Sequence, residues 1–217
     1  MDPMSSPPHA PDPEIPDGIR SDARATWPSQ ELIDSFLGGS FELHPGEESV
    51  IDLDDPVAVA QARAFRDTMG RFCSGVTVVT AMSQGKPVGM TLQSFTSVSL
   101  SPQLILISPA KTSRAWPLMQ RAGSFCVNIL AVDQAAVSNT MATKGADKFA
   151  EVSWSPAAQT GSPVLDGTLG HIDCSIHAVY EAGDHYLVVG RVRELVTTDK
   201  TEPLLFFQGR YRGLLED

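Results

Sequence analysis

Gly75-Val-Thr-Val-Val-Thr-Ala-Met82, the turn Gln84-Gly85-Lys86-Pro87, and Val88-Gly-Met-Thr-Leu-Gln-Ser-Phe-Thr-Ser-Val-Ser99 decide the fold. The first segment is mostly β-branched, which suits a pleated, half-buried backbone. The second is punctuation, with Gly and Pro where a chain reverses. The third alternates apolar with hydroxyl side chains, and a period of two puts one set on each face of a strand. We read two consecutive antiparallel strands, the second running through 88–99.

Working outward, 104–108 is a short, fully apolar strand. Thr112-Ser113 offers a cap for a helix over 114–121, with Pro117 near the first turn, where a missing N–H is least costly. A strand over 124–130 and a helix over 133–141 follow. Residues 142–163 read as loop with a short helical piece near Asp147-Lys148-Phe149. Strands resume at 168–180, 185–195, 204–207 and around Tyr211. Upstream, Val57, Ala60, Ala64, Phe65, Thr68, Met69 and Phe72 recur at helical spacing and predict a helix ending near Gly70. Six or seven mostly consecutive strands with a few short helices favour a closed antiparallel barrel over a doubly wound sheet.

The 217 residues suit one ordinary domain with an extension. The net charge of −10 divides unevenly. Residues 1–57 hold 13 acidic and 2 basic side chains, a net −11, whereas 58–217 hold 13 and 14, a net +1. Residues 1–57 also carry 9 of the 16 prolines. We therefore expect an acidic, Pro-rich N-terminal extension over 1–57, largely disordered because it is poor in the aliphatic surface that offsets ordering entropy. One short helix is expected inside it, capped by Ser29 and stopped by Gly38-Gly39. The domain proper is 58–217. No clustered basic face suggests nucleic acid. No apolar run reaches the length of a membrane helix, and no secretory signal opens the chain, so a cytoplasmic location is expected. Cys73, Cys126 and Cys174 are too few and too widely spaced for a disulfide framework or a zinc site, and each is expected to be a small buried hydrophobe.

The chain has no G-x-G-x-x-G between strand and helix and no G-x-x-x-x-G-K-[ST], so a dinucleotide, if bound, is not held in the Rossmann manner. His171 and His177 flank Cys174 at a spacing that suits no common metal motif. The densest polar segment is 89–99, whose hydroxyls, Gln93 amide and backbone N–H groups suit a heterocycle edge and a phosphate better than a metal. Ser/Thr-rich strands are also common with no function at all.

In order and at compatible spacing, Gly75-Val-Thr-Val-Val-Thr80, Gly89-x-Thr91-x-x-Ser94-Phe95-x-Ser97-x-Ser99-x-x-Pro102 and Ser113 resemble the short-chain flavin reductases. So do Phe125-x-Val127-Asn128-x-Leu130, Lys148-Phe149 and Gly183-Asp184-His185. These proteins are the reductase components of two-component flavin-dependent monooxygenases. The likeness covers roughly residues 60–215. It implies a mainly β fold, a Greek-key split barrel of the FMN-binding type with a few short helices. It implies a homodimer that transfers hydride from NADH, or NADPH, to FMN or FAD and supplies a separate monooxygenase acting on an aromatic substrate.

Residue by residue, the resemblance places Pro87, Val88, Gly89, Met90, Thr91, Gln93 and Ser94 along the isoalloxazine and ribityl chain. Asn128 is carried over with its strand. Backbone groups of Ser108, Pro109 and Ala110 face the flavin. Ser113 and Arg114, at a helix start, lie near its phosphate, in keeping with the free N–H groups of a helix N-terminus; by itself Arg114 also reads as a solvated charge. Lys148 and Phe149 lie beside the flavin edge, although a surface Lys and a core Phe would look the same. Gly183, Asp184 and His185 form a hairpin whose histidine meets the nicotinamide; composition alone makes Gly-Asp a turn and His185 the start of a strand. His185 is expected to position the nicotinamide, not to act as acid or base. Gln103 after Pro102, Met90, Met141 and the long extension depart from the family pattern. Two other readings of the same fold stand beside this one: a flavin- or heme-binding protein without reductase turnover, and a fixed-flavin reductase of an organic substrate.

Overall fold

A computed structural model describes residues 42–44, 54–143, 145 and 147–214. The expected disorder of the extension and the helix after Ser29 lie outside these residues.

The order of elements is β1 (Glu42–His44), α1 (Pro56–Met69), β2 (Ser74–Gly75), β3 (Thr77–Ser83), β4 (Lys86–Leu92), β5 (Phe95–Leu100), β6 (Gln103–Ile107) and α2 (Trp116–Ala122). Then come β7 (Ser124–Ile129), a 3-10 turn (Val132–Gln134), α3 (Ala135–Ala142), β8 (Trp154–Pro156) and β9 (Pro163–Leu165). The chain ends with β10 (Gly170–Ala182), β11 (His185–Thr197), β12 (Leu205–Phe207) and β13 (Arg210–Arg212).

The main sheet runs β4-β3-β7-β10-β11-β6-β5, antiparallel at every step, with β1 added parallel to the far half of β10. Its two ends, β4 and β5, are joined only by Gln93 and Ser94. The sheet must therefore curl until its edges meet at that corner, which leaves a barrel split between β4 and β5. This corrects the expected single strand over 88–99. The chain changes partner there, β4 pairing with β3 and β5 with β6. Ser94 Oγ donates to the Ser108 carbonyl (2.9 Å) and locks the corner.

β3 lies between β4 and β7, with only Met82 incompletely buried, as its β-branched run requires. It turns into β4 through Gln84 (φ 50°) and Gly85 (φ 74°), both left-handed, the geometry that matches strand twist in a two-residue hairpin. β12 and β13 form a small sheet with β2. β8 and β9 form a ribbon in the stretch expected to be loop. Each has three residues, and a proline from each strand faces the other, Pro156 against Pro163, so no local signal announces it.

α1 starts where expected: Pro56 occupies the first turn and Asp55 Oδ1 accepts from Val57 N (2.8 Å). α2 starts at Trp116, two residues later than expected, and ends at Gly123, whose φ of 69° closes the helix in the left-handed conformation. Cys126 and Cys174 are fully buried, and desolvation raises both thiol pKa values, that of Cys174 to about 12. Cys73 is exposed, contrary to expectation, because it lies in the link between α1 and β2 and not in a strand. Among the described residues no helix is long and apolar enough to cross a membrane.

Candidate functional site

A cleft of about 500 Å³ opens between β4, the segment leading into α2, the end of α3 and the turn at 147–149. Five expected residues, Pro87, Val88, Gly89, Met90 and Thr91, form its β4 wall. Ala110, Ser113, Arg114, Lys148 and Phe149 also line it. Residues far apart in sequence thus converge on one concavity.

Gly89 marks the closest approach of the walls. A Cβ there would stand 2.9 Å from Met141 Sδ and 3.2 Å from Phe149 Cζ. Lys148 Nζ donates to the carbonyls of Gly89 (3.0 Å) and Met141 (2.6 Å), stapling its turn to β4 and α3. Partial burial lowers its pKa below the usual lysine range. Phe149 stacks edge-on against Trp154, with ring centroids 6.2 Å apart. Thr91 Oγ1 donates to the Ser138 carbonyl (2.6 Å), so its proton serves α3. Ser113 Oγ accepts from Trp116 N (3.2 Å) and lies 3.4 Å from Met90 Sδ, joining the start of α2 to β4. Among the described residues the lining carries two cations, Arg114 and Lys148, against the single carboxylate of Asp147. That balance favours an anionic ligand.

The Gly183-Asp184-His185 hairpin does not line the cleft itself. It is sewn along the cleft's flank: Ala110 bridges His185, Lys111 N donates to the Asp184 carbonyl (2.9 Å), and Tyr186 N donates to the Pro109 carbonyl (2.9 Å). Gly183 takes a φ of 59°, which the turn requires. His185 Nδ1 lies 2.8 Å from Asp184 Oδ1. This bond orients the ring, and it is the main reason the Asp184 carboxyl sits below the usual carboxylate range. The His185 side chain is 44% exposed, open to a ligand arriving from solvent.

Besides this hairpin, five expected residues lie outside the lining: Gln93, Ser94, Ser108, Pro109 and Asn128. Ser94 and Ser108 are bonded to each other at the sheet corner, the Gln93 amide oxygen accepts from Ser74 Oγ (3.4 Å), and the Pro109 carbonyl is taken by Tyr186. Asn128 is a clear correction. Its side chain is fully buried; Nδ2 donates to Val78 O, Thr80 Oγ1 and Pro163 O, and Oδ1 accepts from Leu165 N (2.8 Å). It ties β9 to the sheet and has no group left for a cofactor.

Sequence reasoning misses Leu118, Ala142 and Thr143, and treats Met141 only as a departure from the family pattern. All four line the cleft. The one available signal is indirect: a glycine inside a strand marks a site where something approaches closely, and Met141 is what approaches Gly89.

The residues present fit a flavin. The volume, the close walls around a glycine and the excess positive charge suit a flat heterocycle with a phosphorylated tail. The family model described as "Flavin reductase like domain" matches residues 69–215. The reductase subunit HsaB of a flavin-dependent monooxygenase from Rhodococcus jostii is 44% identical over 155 residues, covering 71% of this chain and 79% of that one. The FMN reductase (NADH) SmoA of Agrobacterium fabrum is 40% identical over 150 residues, 69% of this chain and 84% of that one. The NADH:FAD oxidoreductase SgcE6 of Streptomyces globisporus, solved in complex with NAD and FAD fragments, superposes with a TM-score of 0.68 at 35% identity, covering 78% of this chain and 98% of that one. With these relatives, a mainly β split barrel and a cleft of this shape and charge, the chain belongs to the flavin reductase-like domain family.

Proposed function

We propose that this chain is an NADH-dependent flavin reductase that binds FMN or FAD in the cleft beside Gly89 and supplies reduced flavin to a separate monooxygenase component. The observation that carries the reading is the convergence on one cleft of Gly89, Met90 and Thr91 from β4 with Arg114 and Lys148, the cations of its lining among the described residues. When bound, the flavin supplies the hydride-accepting chemistry. The chain's own residues bind, orient and exclude water. β4 and Phe149 form apolar walls that bracket a flat ring. Arg114, exposed at the mouth, offers charge-assisted bonds to a phosphate. The Lys148 ammonium holds two walls together through their carbonyls. His185, held by Asp184 on the flank, faces the nicotinamide and positions it. Proximity and orientation are the main catalytic contribution, since bringing two bound rings together removes the entropy of their encounter.

The direct test follows NADH oxidation by the purified full chain with and without added FMN or FAD. Turnover that saturates with free flavin is expected; none with either flavin, using NADH or NADPH, would refute the reading. His185→Ala is expected to raise the nicotinamide KM about three- to tenfold, the worth of one or two hydrogen bonds, with a smaller change in flavin affinity. Unaltered nicotinamide kinetics would remove His185 from the site.

The chain is further proposed to work as a homodimer in the cytosol, where NADH is available. No residue of α1 is buried. Val57, Phe65 and Met69, with Phe72 just beyond the helix, are 63%, 69%, 53% and 76% exposed. An apolar row of that kind marks an association surface. The expected result is a dimer in sedimentation equilibrium and a monomer for Phe65→Glu with Met69→Glu. A monomeric parent chain would refute the proposal.

A further inference from the structure

Helix α3 forms one wall of the cleft, yet its sequence Ala-Ala-Val-Ser-Asn-Thr-Met-Ala does not hold a helix by itself. Eight residues are too short to persist in isolation, and Val, Ser, Asn and Thr are weak helix formers. No side chain caps its N-terminus. Burial of Met141 anchors one face, and three hydrogen-bonding ties set the helix position.

Two ties come from residues of the cleft lining: Thr91 Oγ1 to the Ser138 carbonyl and Lys148 Nζ to the Met141 carbonyl, each 2.6 Å. The third comes from β13, outside the lining. Tyr211 Oη lies 2.8 Å from Ser138 Oγ and 3.0 Å from Asn139 Oδ1. Ser138 is fully buried, so its hydroxyl needs a partner inside the protein, and the Tyr211 phenol provides one. The phenol is a firm anchor. Its ring packs edge-on against Phe206 with centroids 5.5 Å apart, and β13 is paired through β12 to β2.

We propose that Tyr211 is a positioning residue for the flavin site. Through Ser138 and Asn139 it holds α3 at the distance from β4 that admits a flavin ring, without touching the ligand. The inference rests on the reading of the cleft as the flavin site. Without the phenol, the helix segment bearing Met141 and Ala142 gains freedom, and the wall facing Gly89 loses its fixed spacing. The flank carrying His185 belongs to other strands and is unaffected. The effect therefore falls on flavin and not on nicotinamide.

The test uses the full chain with Tyr211→Phe, which removes one oxygen and keeps the ring against Phe206. Flavin affinity, read by fluorescence quenching, and flavin KM are each expected to weaken about three- to tenfold, the worth of a buried hydrogen bond or two. The nicotinamide KM and the kcat at saturating flavin are expected to stay as in the parent chain. Ser138→Ala should shift flavin affinity in the same direction, and adding it to Tyr211→Phe should shift it no further, because the Ser138 hydroxyl acts through the phenol that Tyr211→Phe removes. A role in stability alone would lower the melting temperature and leave flavin affinity and KM unmoved; that result, or additive effects of the two substitutions, overturns the proposal. Should Tyr211→Phe fail to fold, Ser138→Ala carries the same prediction. A parent chain that neither binds nor reduces flavin refutes the reading of the cleft. A parent chain that does both, with variants unaltered toward flavin, refutes the role of Tyr211 alone.

Discussion

Asn128→Ala is expected to destabilise the fold by about 3 kcal/mol or more, read as a lowered denaturant midpoint with an unchanged slope. The amide stands where β7, β3 and β9 meet, with no exposed surface. It serves Val78, Thr80 and Pro163 as a donor and Leu165 as an acceptor. Thr80 Oγ1 donates to the same Pro163 carbonyl, so the two side chains together replace the ladder that a three-residue ribbon cannot supply. Alanine strips the Leu165 N–H of its acceptor and leaves a void beside it. An unsatisfied buried donor costs about 1–3 kcal/mol, and the void adds to it. If Asn128 instead served the cofactor, the variant would fold with its midpoint intact and lose only flavin affinity. That outcome would overturn the structural assignment.

Gly89→Ala is expected to weaken flavin binding at least tenfold, about 1.4 kcal/mol, while the protein still folds. The new Cβ would meet Met141 Sδ at 2.9 Å and the Phe149 ring at 3.2 and 3.4 Å. Phe149 is backed by Trp154, and Met141 is buried in the core shared with Leu130 and Leu165. Methionine is the more adaptable of the two. Its thioether has core on one side and the cleft on the other, so the open direction for displacement is into the ligand space. Overpacking of this kind costs about 1–3 kcal/mol, which a domain with this core survives. Flavin titration by fluorescence quenching, with calorimetry of the unliganded protein, separates the two effects. Flavin affinity equal to that of the parent chain would show that the wall at Gly89 does not meet the ligand.

Much of the fold is legible because its long strands carry their own signals. β3 is β-branched and buried nearly end to end. β10 and β11 meet at Gly183-Asp184, a turn visible in composition. The apolar spacing that announces α1 belongs to a real helix. What stays hidden is short or depends on pairing. β8 and β9 hold together through Asn128 and Thr80, residues distant in sequence. The break at Gln93-Ser94 follows from a change of strand partner, which a run of alternating hydroxyls does not record. Cys73, Cys126 and Cys174 look alike among apolar neighbours, and only their places in a link or a sheet separate exposed from buried.

The candidate site divides in the same way. Gly89, Met90, Thr91, Ser113, Arg114, Lys148 and Phe149 are named through the resemblance of their linear motifs to the flavin reductases, since the sequence by itself determines those residue types and their order. Their roles are another matter. Thr91 spends its proton on α3, Lys148 staples two walls, and Asn128 turns inward to hold a ribbon; only the tertiary structure decides this, because a hydrogen-bonding group is assigned to ligand or to protein by whichever partner the fold brings within about 3 Å.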